Sequence, residues 1–373
     1  MNSISRECCI LCGGDIEELH VFSDFPIYMG VSTRPKSEDL HQDMSFAECI
    51  HCGCVQLAEL VPLEILYANG HNAAIGKTWE THHIEFHKFI KKYAKGTIME
   101  IGGGNLILAR NLEKQDSVDK IIVHDFNSYG SIESNKIIFK SSTGNTLNSE
   151  DKVDMIVHSH LIEHLYNPIS DLRQASSLLP MGGHMALAAP LIDAMLVDKF
   201  TNAMNFEHSY MLTYKMIEQI LSECGFRIVD KKNFSPHVTF IVSEKIGSLS
   251  PVKSKYNNSS EILNNFILHH QEEVTKIQNQ MASENEKAFI FGAHIFTQFL
   301  LGFGLQEDLF LNVLDNDPAK IGNRLYGTSL QVESPKILKD FENPVVVLKA
   351  AMYTEEIKKD ILENINPNTR FIL

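Results

Sequence analysis

Short apolar runs alternate with amphipathic segments along most of the chain beyond residue 76. Runs with the character of buried strands at 97–101, 153–157 and 184–188 alternate with helical patterns, such as the one over 168–179. Strands that alternate with helices predict a parallel sheet with helices on both faces. The pattern therefore predicts an α/β fold built on a Rossmann-like sheet.

The same alternation continues in two blocks and divides the chain into three parts. In the first block, further strands are predicted at 120–124 and 136–139, and helices at 78–95, 106–112 and 213–224. A stretch at 244–260 rich in Ser, Lys, Pro and Asn marks a boundary. Beyond it a long helix is predicted over 261–285, strands at 287–291, 309–314, 344–348 and 371–373, and helices at 295–301 and 353–364. We assign 1–75 to an N-terminal domain, 76–245 to the large sheet, and 246–373 to a smaller α/β domain.

The charge of the chain limits its partners. It carries 33 basic and 47 acidic residues, a formal net charge of −14, which argues against broad contact with nucleic acid or an anionic membrane surface. Its apolar runs are shorter than the roughly 18 residues of a membrane span, and its N-terminus lacks the apolar core of a signal peptide. We therefore expect a cytoplasmic protein with no nucleic-acid partner and no membrane partner.

Six of the seven cysteines fall within the first 54 residues, and four of them form two Cys-x-x-Cys-Gly motifs. Two residues between thiolates let both sulfurs bind one tetrahedral Zn²⁺ from a tight turn, and two such turns close a site with no open position. The predicted ligands of this structural zinc ion are Cys9, Cys12, Cys49 and Cys52. The sequence leaves open whether Cys8 or Cys54 replaces one of them.

A glycine-rich turn follows the first predicted strand of the large sheet. Its residues Glu100, Gly102 and Gly104 fit the pattern Glu/Asp-x-Gly-x-Gly, and a turn without side chains lets a ligand approach a helix N-terminus. Asp125, at the end of the second strand, is placed to accept hydrogen bonds from both ribose hydroxyls of a nucleotide. The third glycine of a dinucleotide fingerprint would fall on Ile107, so S-adenosylmethionine is favoured over NAD.

The segment that follows the fourth strand supports the same cofactor. Residues 158–165 read His-Ser-His-Leu-Ile-Glu-His-Leu, which resembles the post-strand segment of class I methyltransferases. The resemblance implies a class I methyltransferase fold that binds S-adenosylmethionine. Beside Glu100, Gly102, Gly104 and Asp125, it implies that Gly103, Phe126 and Ser159 contact the cofactor.

The order of the three parts resembles that of the sugar C-methyltransferase family. The second cysteine motif is followed by Val55-Gln56-Leu57, and residues 313–322 read Val-Leu-Asp-Asn-Asp-Pro-Ala-Lys-Ile-Gly, as is typical of that family. Its members methylate carbon atoms of nucleotide-linked 4-keto-deoxysugars. The resemblance therefore implies a nucleotide-linked sugar as the small-molecule substrate, with the C-terminal domain helping to hold it.

The same family has a histidine base near position 208. The segment 206–210 reads Phe-Glu-His-Ser-Tyr where members usually read Tyr-His-Glu-His and then an aromatic residue. The resemblance implies that His208 removes the proton next to the ketone and that Glu207 orients it or binds substrate. It further implies that His71, His160 and His164 lie on the substrate side.

Two other functions fit the same residues. The tyrosine and histidine that usually precede the Glu-His pair are replaced by Asn205 and Phe206, which leaves room for O- or N-methylation of a different small molecule. A non-catalytic scaffold that binds zinc and S-adenosylmethionine is the third alternative. Carbon methylation is preferred because a histidine, which titrates near neutral pH, suits removal of an α-proton.

Overall fold

The alternation of strands and helices in the sequence is present in the computed structural model. The structure describes residues 3–68, 77–103, 106–125, 132–141, 147, 151–247, 255–256, 258–282, 284, 287–349 and 353–372. It forms two compact units, each assembled from separate stretches of the chain. Unit 1 comprises Met1–Glu18, Ala47–Asp198 and Phe206–Ser260, and unit 2 comprises Leu19–Phe46, Lys199–Asn205 and Glu261–Leu373.

The N-terminal part of the chain is built from short strands with one helical turn. The strands are β1 Ile4–Ser5, β2 Ile16–Pro26, β3 Val31–Ser32, β4 His41–Cys49, β5 Val55–Leu57 and β6 Glu59–Leu60, and the helix is α1 Leu63–Leu66. Strand β1 pairs antiparallel with β6 within unit 1. Strands β2 and β4 are neighbours in one small sheet.

A seven-stranded sheet is the centre of unit 1. Its strands are β7 Gly96–Ile101, β8 Val118–Asp125, β9 Ile137–Ser141, β10 Met155–Ser159, β11 His184–Pro190, β12 Phe226–Ser235 and β13 Val238–Lys245. They lie in the order β12-β13-β11-β10-β7-β8-β9. From β11 to β9 every neighbouring pair is parallel, so the predicted parallel core is confirmed. These strands are largely apolar because helices cover them.

The helices of unit 1 follow the predicted periodicity. They are α2 Lys77–Ile90, α3 Ile107–Leu112, α4 Pro168–Ser177, α5 Ile192–Val197 and α6 Tyr214–Glu223. Helix α2 places Phe86 and Ile90 in the core, and α3 buries Leu108 and Leu112 against the same apolar cluster. The Thr213 side chain caps α6 by accepting a hydrogen bond from the Met216 amide at 3.2 Å.

The last two strands of the sheet depart from the expectation of a purely parallel sheet. Strand β13 pairs antiparallel with β11, and β12 pairs antiparallel with β13, so the sheet ends in a hairpin. Its turn contains only Pro236 and His237 between the two strands. The charged residues of β12 hid this strand from the apolar pattern, because an edge strand keeps one face in solvent.

Unit 2 contains a five-stranded parallel sheet. Its elements are α7 Ser259–Met281, β14 Ala288–Phe291, α8 Ile295–Gly302, β15 Phe310–Leu314, β16 Arg324–Leu325, β17 Val332–Glu333, β18 Val345–Leu348, α9 Thr354–Asp360, a π-helical turn Ile361–Ile365 and β19 Arg370–Ile372. The strand order β17-β15-β14-β18-β19 is parallel throughout. The second predicted α/β alternation is therefore present, and β16 pairs outside this sheet with β3.

A buried ion pair within unit 2 joins β16 to the segment before β4. The two guanidinium nitrogens Nη1 and Nη2 of Arg324 donate to the two carboxylate oxygens of Asp39 at 2.6 and 2.7 Å. Arg324 also donates to the carbonyls of Arg34 and Thr328. The side chain of Asp39 is 0% exposed, and its Oδ2 also accepts a hydrogen bond from the Gly327 amide at 2.8 Å, so its charge depends on the Arg324 guanidinium and this amide.

Replacing Asp39 by asparagine is expected to lower the free energy of unfolding by about 3 kcal/mol, because it leaves the Arg324 charge buried without its counterion. Urea denaturation of D39N and of the parent protein measures the difference. Lys36→Met, which breaks an ion pair of half-exposed side chains in the same unit, is the control and is expected to cost less than about 1 kcal/mol. Equal effects of the two substitutions would contradict the assignment.

Among the helices of the described ranges, none combines the length and the apolar character that a membrane crossing requires.

Candidate active site

A cavity opens at the carboxyl ends of neighbouring strands of the large sheet. It is lined by Gly102 after β7, Asp125 at the end of β8 and His158 near the end of β10. The order of strands reverses between β7 and β10, and α/β sheets bind ligands in the crevice at such a point. Tyr67 and His164 line the same cavity. Residues predicted to contact the cofactor and a residue predicted to contact the substrate therefore share one cavity.

The glycine turn after β7 needs its glycines. Gly102 has a φ of +74° and its amide donates to the His124 carbonyl at 2.8 Å. A Cβ on Gly103 would lie 2.4 Å from Cγ1 of Val123, which no real side chain tolerates. On Gly102, by contrast, a Cβ would meet only Leu161, at 3.8 Å. The turn thus packs tightly against β8 on one side and leaves space on the cavity side.

Glu100 is a buried acid beneath this turn. Glu100 is 2% exposed, and its Oε2 has no hydrogen-bond partner in the part of the chain that the structure describes. Burial, and then the negative charge of Asp125, raise the pKa of Glu100 to about 8. The acid is therefore largely protonated at neutral pH, and one of its oxygens remains available to a ligand.

A second buried acid, Glu163, lies among histidines. It belongs to a 3₁₀ turn, Ile162–His164, and its Oε1 lies 3.3 Å from Nδ1 of His160 and 3.8 Å from Nε2 of His164. One ligand atom each of Glu163, His164 and His208 lie within 4.8 Å of one another. Burial alone would raise the pKa of Glu163, but His160, His164 and His208 lower it to about 2. The carboxylate is therefore charged.

Glu207 and His208 reach this group from a distant part of the sequence. Oε2 of Glu207 lies 3.5 Å from Nδ1 of His164, and the rings of His164 and His208 meet edge to face at 5.2 Å. The hydroxyl of Tyr67 lies 3.4 Å from the same Nδ1 atom. His164 therefore stands between the Glu207–His208 pair and the cavity that Gly102 and Asp125 line.

Backbone hydrogen bonds hold the Glu207–His208 segment in place. The Ser209 amide donates to the Glu163 carbonyl at 3.1 Å. The guanidinium group of Arg6 donates to the carbonyls of Ser209 and Tyr166 at 2.6 and 2.7 Å. A single cation from the N-terminal segment thus joins the chain beside His208 to the chain just after His164.

Two further predicted site residues, Ser159 and His160, contact helix α2, and others lie outside the described residues. The hydroxyl of Ser159 lies 3.0 Å from Nε2 of His82, and the His160 ring packs edge to face on Trp79 at 4.8 Å. Both side chains therefore face helix α2. His160 has a φ of +52°, an uncommon value for a residue with a Cβ. The predicted residues His71, Gly104 and Phe126 lie outside the described residues.

Three residues of this site were not among the predicted ones. Glu163 had a signal in the sequence, because it stands between His160 and His164 in the segment that resembles other methyltransferases. His158 opens the same segment, and Tyr67 follows α1. Both ring nitrogens of His158 are buried without a partner among the described residues, and burial lowers its pKa to about 4.

The four predicted zinc ligands converge in unit 1. The sulfurs of Cys9 and Cys52 are 3.6 Å apart and those of Cys12 and Cys49 are 3.4 Å apart. All four sulfurs lie within 4.8 Å of one another. Zinc–sulfur bonds of about 2.3 Å in a tetrahedron need sulfurs about 3.8 Å apart, so the donor set fits that ion closely.

The backbone around these sulfurs has the form of two matching turns. Gly13 donates to the Cys9 carbonyl and Gly53 to the Cys49 carbonyl, at 2.9 and 2.8 Å. Both glycines have positive φ, +69° and +77°, which explains why glycine follows each motif. Cys8 is exposed and Cys54 is buried, and neither belongs to the converging set.

Strand β5, which follows the second cysteine turn, is hydrogen-bonded to the segment that carries His208. Strand β5 follows Cys54, and its Leu57 amide donates to the Ser209 carbonyl at 3.0 Å, while the Met211 amide donates to the Val55 carbonyl at 2.9 Å. The buried side chain of Gln56 accepts from the Ile10 amide and donates to the Cys8 carbonyl, both at 3.0 Å. One strand therefore connects both cysteine turns to the chain next to the histidine.

The large sheet and the cavity belong to a known class of enzyme. Residues 83–231 match the family model described as a methyltransferase domain, and the strand order with its antiparallel end is that of the class I methyltransferase fold. The predicted class I domain is therefore confirmed. The protein is an S-adenosylmethionine-dependent methyltransferase.

Several solved structures are similar to part of this chain. One is a SAM-dependent methyltransferase from Aquifex aeolicus, with 15% identity, 43% of this chain and 90% of that chain covered, and a TM-score of 0.36. Another is the N-methyltransferase NodS from Bradyrhizobium japonicum WM9 in complex with S-adenosyl-L-homocysteine, with 12% identity, coverage of 44% and 86%, and a TM-score of 0.35. A third is an O-methyltransferase family protein from Burkholderia thailandensis, with 10% identity, coverage of 46% and 57%, and a TM-score of 0.38. A comparison with curated proteins gives no significant match.

The residues at the cavity fit S-adenosylmethionine. The glycine turn leaves room for a ligand. Glu100 Oε2, which has no partner among the described residues, and the Asp125 carboxylate offer acceptors to its ammonium and ribose groups. Asp125→Ala is therefore expected to weaken S-adenosylmethionine binding about 10- to 100-fold, the effect of losing hydrogen bonds to a charged group. Isothermal titration calorimetry measures this loss.

Asp119→Ala is the matched control for that experiment, because Asp119 is an exposed residue at the other end of the same strand. It is expected to bind S-adenosylmethionine like the parent protein. Unchanged affinity in D125A would contradict the role of Asp125.

Proposed function

We propose that the protein methylates a carbon atom next to the ketone of a nucleotide-linked keto-sugar. The observation that carries this proposal is the arrangement of His208 and Glu207 against His164, which lines the same cavity as Gly102 and Asp125. A base beside the cofactor cavity is what removal of an α-proton requires. The keto-sugar itself rests on the resemblance of the sequence motifs to sugar C-methyltransferases.

In this proposal His208 takes the proton from the carbon next to the ketone, and the electron pair of that C–H bond moves into the enolate. Glu207 and Tyr67 hold His164 from one side and fix the edge of the substrate space. S-adenosylmethionine, when bound, supplies a methyl group on a sulfonium and needs no further activation. The remaining task of the protein is to hold the two reactants in line, which lowers the entropic part of the barrier.

We further propose that Cys9, Cys12, Cys49 and Cys52 hold a structural zinc ion. The sulfur–sulfur distances support this ligand set, and a closed set of four thiolates leaves no position for a substrate or a reactive water molecule. A zinc ion bound there would affect the reaction only by stabilising the structure of the chain around it.

The test is incubation of the protein with S-adenosylmethionine and a panel of nucleotide-linked 4-keto-deoxysugars in deuterated water. Carbon methylation is expected to replace a proton on the ketone's neighbouring carbon by a methyl group, and sugar recovered unmethylated from the same reaction is expected to carry deuterium at that carbon. Methyl transfer to an oxygen or nitrogen atom of the acceptor, without such exchange, would contradict the proposal and support heteroatom methylation. Binding of S-adenosylmethionine without transfer to any of these sugars would contradict the proposed substrate.

A further inference from the structure

Glu163 is a buried carboxylate that lies beside three histidines. Its side chain is 1% exposed, and its Oε1 lies 3.3 Å from Nδ1 of His160 and 3.8 Å from Nε2 of His164. A buried carboxylate is costly unless hydrogen-bond donors or positive charge lie beside it. The groups around it that can carry such charge are His160, His164 and His208.

We propose that Glu163 is the positioning residue of the base: it orients the histidine group and stabilises the imidazolium that forms when His208 takes the substrate proton. This inference rests on the proposed function. It adds a residue with a distinct role, because the catalytic proton moves from substrate carbon to the ring nitrogen of His208 and never reaches Glu163. A carboxylate that stabilises an imidazolium without being protonated itself is known from catalytic triads.

The fold places Glu163 for this role in two ways. Its carbonyl accepts the Ser209 amide, so the residue next to His208 is tied to the Glu163 backbone. The hydroxyl of Tyr210, fully buried, donates to the Ile162 carbonyl at 2.6 Å, which ties the same two segments a second time. The distance between the Glu163 carboxylate and His208 is therefore set by backbone as well as side-chain contacts.

Other titratable groups face this group of residues and bear on its pH dependence. His158 belongs to strand β10, and His82 and His83 belong to helix α2. The other groups lie in the N-terminal part of the chain, after His164 and beside His208, and they are Arg6, Tyr67, Tyr166, Glu207 and Tyr210. The histidines around the buried carboxyl group of Glu163 lower its pKa to about 2, so this group is charged at neutral pH.

The test compares E163Q with the parent protein. The substitution keeps the shape of the side chain and removes its charge. We expect kcat to fall about 10- to 100-fold, the range seen when a group that orients a ligating or reacting histidine is removed. We expect the acidic limb of the kcat/KM profile to move to lower pH, because the imidazolium has lost its counterion. Binding of S-adenosylmethionine, measured by calorimetry, is expected to stay within about twofold, since Glu163 is not part of the cofactor turn.

An NMR titration of the ¹⁵N-labelled histidine rings gives a readout without substrate. In E163Q the rings of this group are expected to take up protons at lower pH than in the parent protein. Unchanged ring titration would overturn the inference, whatever the activity. If the parent protein transfers no methyl group to any keto-sugar but the ring titration moves, the proposed function fails while the electrostatic coupling between Glu163 and the histidines stands.

Two further variants keep the test decisive. Asp193→Asn removes another partly buried acid of unit 1, which lies on α5 and is not among the groups that shift the pKa of Glu163, and is expected to leave ring titration and pH profile unchanged. If E163Q does not fold, E163D carries the test: it retains the charge, so ring titration is expected to match the parent while kcat falls. Normal kcat in E163D with shifted ring titration would overturn the inference. So would a second metal ion per chain held by Glu163, His164 and His208, since these groups would then be ligands.

Discussion

Replacing His208 by alanine is expected to lower kcat about 10²- to 10⁴-fold, the contribution of a positioned general base. The ring stands 5.2 Å from that of His164, which lines the cavity, and is reached by the charge of Glu163. No other change at this site removes the proposed proton acceptor itself. Rapid-quench measurement of methyl transfer from labelled S-adenosylmethionine gives kcat directly, and calorimetry is expected to show unchanged cofactor affinity.

The control for this experiment is His237→Ala. His237 belongs to the same unit but lies in the turn just before β13, where its ring contacts Asp198 at 2.6 Å. H237A is expected to keep the turnover of the parent protein. Full turnover in H208A would remove the base assignment, and an equal loss in H237A would show that the effect is one of folding rather than of chemistry.

The sequence predicted the parallel strands of this enzyme well because they are buried on both faces. Strands β7, β8, β10 and β11 are runs of apolar residues, and such runs stand out without knowledge of their neighbours. The hairpin of β12 and β13 did not stand out. Strand β12 lies at the edge of the sheet and pairs with one neighbour, and many of its residues are charged and exposed to solvent. Its sequence pattern therefore resembles that of a loop.

The site was predicted in part for a similar reason. Asp125 and Gly102 sit at fixed places relative to strands, and the geometry of any parallel sheet brings strand ends together. The meeting of His164 with Glu207 depends instead on how a 40-residue excursion of the chain returns to the sheet, which no local pattern encodes. Motif resemblance supplied His208, whereas the sequence signal for Glu163 was its place between His160 and His164, and its burial and its distances to these two rings then identified it as a site residue.

The division into domains shows the same limit. A reading along the sequence yields continuous segments, such as the predicted 1–75, 76–245 and 246–373. The compact units instead collect separate stretches, with 19–46 and 199–205 grouped with the C-terminal part of the chain. The assignment of 1–75, 76–245 and 246–373 to three domains stays a prediction.

Replacing Cys52 by serine is expected to remove zinc and to damage the active site at a distance. Structural zinc sites of this kind contribute on the order of 10–16 kcal/mol of binding free energy, and loss of one of four thiolates removes a large part of it. Strand β5 begins three residues after Cys52 and pairs with Ser209 and Met211, so the segment of His208 loses its support. We expect about one zinc ion per parent chain and well below half of that in C52S, by metal analysis.

The same variant is expected to lower the melting temperature and kcat together, while S-adenosylmethionine affinity falls less, because the glycine turn follows one strand of the seven-stranded sheet, Asp125 ends another, and β5 belongs to a different sheet. Cys8→Ser is the matched control: Cys8 is an exposed neighbour of the first motif, and only its backbone carbonyl is used, by Gln56. C8S is expected to keep zinc, stability and turnover. Zinc loss in C8S would place Cys8 among the ligands, and full zinc content in C52S would contradict the four-cysteine site. Loss of zinc without loss of kcat would mean that the position of His208 does not depend on the metal site through β5.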